Sequence, residues 1–116
     1  MNLREFYEAS QGSYEATLGR IMKEERIIKY LRKFADSDSL KEIRDALDAK
    51  DYETAFRGAH NLKGLCLNLG LDKLQVVSSD LTESLRNGPT GDVEGLYEKV
   101  AIEYEQVLAL IKQLED

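Results

Sequence analysis

The sequence predicts an all-α protein, an antiparallel four-helix bundle with one or two short helices added at its N-terminus. Three observations carry that prediction. Apolar residues recur at helical spacing almost from end to end, and no stretch sustains the alternation by two that a strand needs. The single proline lies in the run Asn87-Gly88-Pro89-Thr90-Gly91, so helices are permitted nearly everywhere else. The breaks between the apolar stripes are short, and short links between long amphipathic helices force neighbours to run antiparallel. With 116 residues, the chain suffices for one core but not for two.

The elements follow in order. Phe6, Tyr7, Tyr14 and Leu18 predict one or two short amphipathic helices before Gly19, with Gly12-Ser13 as the break. From near Ile21, the residues Ile27, Leu31 and Phe34 share one helical face, whose phase is interrupted at Asp36-Ser37-Asp38-Ser39. Ser39 and Glu42 then have capping-box spacing, and Leu40, Ile43 and Leu47 resume a stripe; either one long helix kinks there or two shorter ones meet. A helix over residues 51–69 stops at Gly70. Asp72-Lys73-Leu74-Gln75 reads as a second capping box, opening a stripe of Leu71, Leu74, Val77, Ser78, Leu81 and Leu85. Beyond the proline turn, Val93, Tyr97, Val100, Tyr104, Val107, Ile111 and Leu114 alternate steps of four and three, the seam of a bundle helix. Residues 1–20 read as a helical addition and 21–116 as the bundle.

Residue counts exclude several functions. One cysteine, Cys66, rules out an internal disulfide and a cysteine-based zinc site, and one histidine, His60, rules out a two-histidine metal site within the chain. Asp36-Ser37-Asp38 lacks the further spaced ligands and glycine of a calcium loop. No carboxylates converge on the histidine or cysteine as a hydrolytic enzyme would require, and no Gly-rich nucleotide loop is present. A net charge of −6 argues against nucleic acid and against anionic membranes. The start, Met1-Asn2-Leu3-Arg4-Glu5-Phe6, lacks the basic-then-apolar order of a signal peptide, so a cytoplasmic location is expected. Residues 20–33 hold six basic and two acidic side chains, and residues 92–116 hold seven acidic and two basic. Such runs are either solvated helix faces or a surface for a charged partner.

The histidine gains meaning on a helical wheel. With His60 at zero, Ala55, Gly58, Ala59, Leu62, Leu65, Cys66 and Leu69 fall in an arc from roughly 140° to 260°, which is the core face. His60 therefore faces water. A lone histidine is more often an ordinary surface or core residue, but its neighbours here are unusual. Arg57 and Lys63 lie three residues either side of it, two cations bordering a nucleophilic ring. Gly64 sits one turn on, where glycine costs a helix about 1 kcal/mol and supplies only space. Phe56 and Leu67 lie on the same outer face, as a docking patch for a partner or as side chains tucked against the next helix. A phosphoryl group suits this setting: a ring nitrogen can carry it, and Lys63 and Arg57 can stabilise its charge.

These residues carry a resemblance. Ala59-His60-Asn61-Leu62-Lys63-Gly64, with Asn68-Leu69-Gly70 and then Leu74 and Leu81, resembles the signature of histidine-containing phosphotransfer (HPt) domains, strongly over residues 51–88. The resemblance implies that His60 is the phosphorylated residue, that Lys63 holds phosphoryl oxygens, and that Gly64 gives clearance. It further implies an imidazole-orienting polar residue on the next helix, at Thr82 or, less directly, Gln75. The implied partner is the receiver domain of a response regulator or a hybrid histidine kinase, with Mg²⁺ on the receiver and no cofactor on this chain, which would act as a monomer. A non-catalytic helical interaction module, with Phe56 and Leu67 as its anchor, is the alternative. Leu65, Cys66 and Leu67 depart from the small residues that often follow the Lys-Gly pair.

Overall fold

The computed structural model describes residues 1–115 and is all-helical. Among those residues the helices are α1 (Leu3–Ser10), α2 (Tyr14–Ile21), α3 (Glu24–Ala35), α4 (Ser39–Asp48), α5 (Tyr52–Leu69), α6 (Asp72–Leu85) and α7 (Val93–Ile111). The N-terminal addition is thus two helices, broken where Gly12 and Ser13 suggested. The interruption at residues 36–39 separates two helices and does not kink one. The stripe assigned to a helix from near Ile21 belongs to α3, which begins at Glu24, while Ile21 closes α2.

Helix α5 is the centre of the packing. It lies against α2, α3, α4 and α6, while α7 packs on α1, α3 and α6. The seam of α7 behaves as its spacing predicts: Tyr97, Val100, Tyr104, Val107, Ile111 and Leu114 are buried, and Val93 is half-buried. On α5 the buried face is Ala55, Ala59, Leu62, Cys66 and Leu69. Leu65, at the edge of the predicted arc, remains 41% exposed beside Tyr30 and Phe34 of α3. Gly58 lets α4 approach closely, since a Cβ there would stand 2.9 Å from Cγ1 of Ile43.

Helix starts are where local spacing misleads. Neither anticipated capping box forms: α4 and α6 have Asp38 and Leu71 at their N-caps, without a side-chain cap bond. Ser39 shares a hydrogen bond with Ser37 instead, and Asp72 accepts one from the Ser13 hydroxyl. Both side chains are diverted by groups outside their own helices, Ser37 just before α4 and Ser13 from 59 residues away. A capping box that the stripes did not announce opens α1, where Asn2 Oδ1 accepts from Glu5 N at 2.8 Å and Glu5 accepts from Asn2 N at 2.9 Å.

The two N-terminal helices end at the last turn of α5. The terminal carbonyls of a helix lack intrahelical partners, and here the N-terminal segment supplies them. The Tyr7 hydroxyl donates to Leu69 O at 2.6 Å, Ser13 N donates to Gly70 O at 3.1 Å, and Arg20 Nη2 donates to Leu67 O and Asn68 O at 2.7 and 3.0 Å. Gly70 adopts φ +67°, and a Cβ there would collide with Thr17 Oγ1. Glycine is therefore required twice, for the left-handed backbone and for the docked α2.

Burial also sets an alkaline limit. It pushes the Cys66 thiol from 9.0 up to about 12, and the Tyr7 phenol from 10.0 up to about 12. Both groups are held neutral in the fold and ionise earlier in the unfolded chain. Their stabilisation is complete below the unfolded values and is lost as pH rises through the folded ones. Urea titrations should therefore show stability steady near pH 8 and falling from about pH 9 towards pH 12, and Tyr7→Phe should make the upper part of that fall shallower.

Candidate functional site

The site lies midway along α5, whose start is fixed by Asp51: its carboxylate accepts from Thr54 N at 3.2 Å and from Thr54 Oγ1 at 2.7 Å. From this rigid helix the core face turns inward, and His60 is presented to solvent on the opposite side. Its ring lies nearly parallel to that of Phe56, with centroids 6.0 Å apart and planes at 12°. Phe56 is half-buried. It therefore tucks partly against the neighbouring helix and also forms a wall beside the imidazole, combining both readings of its position.

The other expected residues fall in several places. Gly64 is exposed, and no atom stands within 4 Å of where its Cβ would be, so nothing inside the chain requires glycine there. Lys63 is half-buried on the His60 side of α5. Arg57 is exposed and turned back to Glu53, 3.7 Å away. Leu67 is 52% exposed, with its carbonyl taken by Arg20. Thr82 is fully buried, and its hydroxyl donates to Ser78 O at 2.7 Å within α6. Gln75 lies in the first turns of α6, tied by the Gly70-Leu71 link to the end of α5, whereas His60 stands about 13 Å of helix axis before Leu69. The contact observed for the imidazole is with Phe56, not with a polar group of α6.

Two residues at the far end of α6 join the site and were not singled out in the sequence. The Arg86 guanidinium lies over the Phe56 ring, 5.3 Å from its centroid. Glu83 receives Arg86 Nε at 3.0 Å and Nη2 at 2.8 Å. That pairing, together with the nearby charges of Lys63 and His60, holds the Glu83 carboxyl below its usual range. Glu83 thus shares an electrostatic neighbourhood with both. A signal was available: counting outward from the two-residue link between α5 and α6 brings residues 83 and 86 level with the first half of α5.

Cys66 is buried with a strongly raised thiol pKa, and so stays a core residue. Among the described residues no group of three or more His, Cys, Asp or Glu side chains could hold a metal ion, and no helix is long and apolar enough to cross a membrane. The site is an exposed imidazole on a stiff helix, walled by an aromatic ring, open at Gly64, with Lys63 on its own helix and a Glu83–Arg86 pair beyond the wall.

A family model described as Hpt domain matches residues 30–116, three quarters of the chain. The chain belongs to the Hpt domain family. Membership places it in histidine phosphotransfer of two-component signalling, and Hpt domains are phosphocarriers. Searches of curated proteins and of solved structures returned no match. The match to this Hpt domain takes in the second half of α3 and all of α4 to α7, and it begins beyond the two helices that cap α5.

Proposed function

We propose that this Hpt domain carries a phosphoryl group on His60, accepting it from a receiver-domain aspartate or a histidine kinase and passing it to another receiver. The observation that carries the reading is the position of the chain's one imidazole: exposed in mid-helix, inside the His-x-Leu-Lys-Gly motif, beside an open glycine. In the forward step the unprotonated ring nitrogen forms an N–P bond as the P–O bond of the acyl phosphate breaks, and the aspartate leaves as carboxylate. The other ring nitrogen keeps its hydrogen until solvent removes it, and the reverse sequence discharges the carrier. Lys63 is the first candidate to hold the phosphoryl oxygens, with Arg57 available once it leaves Glu53. Phe56 holds the plane of the imidazole, the role that Thr82 or Gln75 would otherwise serve.

In this reading the bundle runs from α3 to α7 and is antiparallel, with α3 and α4 together occupying one of its four corners and α5, α6 and α7 the others. Phe56 and Leu67 form the docking patch for the receiver. The receiver brings the Mg²⁺, this chain brings no cofactor or ATP site, and the carrier works as a cytoplasmic monomer. The test is transfer from a phosphorylated receiver: an acid-labile label should appear on His60 and leave again when an unphosphorylated receiver is added. An unlabelled chain that still binds the receiver through Phe56 would favour a non-catalytic interaction module.

Gly64 provides a sharper prediction. Since a methyl group there meets nothing within the chain, Gly64→Ala should stabilise the fold by about 0.5 to 1 kcal/mol in urea melts. The same methyl should slow transfer from a receiver at least several-fold, because the partner must approach where the glycine now leaves room. Unchanged transfer rates would remove the clearance role.

A further inference from the structure

Phe56 separates His60 from a cation that is already engaged. Arg86 caps the end of α6, where its N donates to Glu83 O at 3.3 Å and the chain that follows is tied back to the helix by Thr90 N donating to Ser84 O at 2.8 Å. Its guanidinium lies over Phe56 and takes the Glu83 carboxylate in a two-pronged grip, using two of the five N–H groups it carries. Glu83 and Arg86 are both exposed, so the pair can part without unpacking the core. A phosphoryl group has more negative charge than a carboxylate and three acceptor oxygens, and is therefore the stronger ligand for a guanidinium.

We propose that the Glu83–Arg86 pair is a latch that the phosphoryl group opens: once His60 is phosphorylated, Arg86 leaves Glu83 for the phosphoryl oxygens, and Glu83, by competing for Arg86, shortens the time the group stays on His60. This inference rests on His60 being the acceptor. Arg86 and Glu83 are positioning residues, acting on the carried group and not on the bond being made. A carrier needs such opposition, because a phosphohistidine held too firmly does not pass its group on. As the pair is exposed, the effect is modest, about two- to fivefold in lifetime.

The test charges the whole chain with phosphoramidate, a small phosphoryl donor that needs no partner, then removes the donor and follows phosphohistidine loss by phosphorus NMR. Glu83→Gln should lengthen the half-life about two- to fivefold, and Arg86→Gln should shorten it by a similar factor. In the Arg86→Gln background, Glu83→Gln should lose more than half of its effect, because Glu83 acts through Arg86. Arg86→Lys should recover part of the lost lifetime, which a purely structural role for Arg86 would not produce. A half-life unmoved by Glu83→Gln, or moved equally with and without Arg86, overturns the latch while leaving His60 as acceptor. A wild-type chain that takes no phosphoryl group from either phosphoramidate or a phosphorylated receiver overturns both.

Discussion

His60→Gln takes up no phosphoryl group from a phosphorylated receiver, with incorporation falling to background, and melts at the same temperature as the unaltered chain. The glutamine amide has similar reach, but its nitrogen lone pair is delocalised into the carbonyl and cannot form the N–P bond. Stability is expected to change by no more than about 0.5 kcal/mol, since the side chain is exposed and the contact it gives up is the stack on Phe56. The experiment is unusually clean because His60 is the chain's one histidine. Any acid-labile label remaining on the variant would have to sit on a different kind of side chain, and the carrier reading would fall. Circular dichroism melts of the same samples separate loss of chemistry from loss of fold.

Removal of residues 1–21 costs most or all of the stability of the domain. The family match starts at residue 30, so the deletion spares the matched region. The core does not respect that boundary. Leu3, Phe6, Tyr7 and Ile21 are buried in the same cluster as the residues of α5, α6 and α7. Truncating one large buried aromatic costs about 3 to 5 kcal/mol, and whole domains are stable by about 5 to 15 kcal/mol. Deletion would also release the carbonyls of residues 67 to 70, which Tyr7, Ser13 and Arg20 now satisfy. Urea melts of the shortened chain should show a broad or absent transition. A cooperative transition with a midpoint close to that of the full chain would mean that α1 and α2 are ornaments on an independent bundle. The milder Tyr7→Phe, which removes one hydrogen bond to Leu69 O, should cost about 1 kcal/mol and keeps the idea testable if the deletion simply aggregates.

Helix identity was legible wherever one apolar stripe dominated. The α7 seam and the core face of α5 could be read from spacing alone, because a 3.6-residue period maps directly onto a buried face. Helix starts were not legible in the same way. Ser39 and Asp72 have the right local spacing for caps, yet Ser37 and Ser13 capture their side chains, and Ser13 comes from 59 residues away. Leu65 shows a similar limit, since an arc on a wheel does not say where the neighbouring helix ends.

The candidate site divides along the same line. The sequence by itself determined that one imidazole would face water in mid-helix, next to a glycine and a lysine, since all of these lie on one helix and helical geometry relates them without reference to anything else. Only the tertiary structure decided what else surrounds that imidazole. Arg86 comes from the end of another helix to lie over Phe56 and pair with Glu83, and Thr82 of that helix is buried in the packing. Such arrangements depend on the packing of α5 against α6, which sets the relative depth and rotation of two helices through side-chain contacts that no single-helix period contains. The capping of α5 by residues 1–21 belongs to the same class, because free carbonyls at a helix end specify that donors are needed but not which part of the chain will bring them.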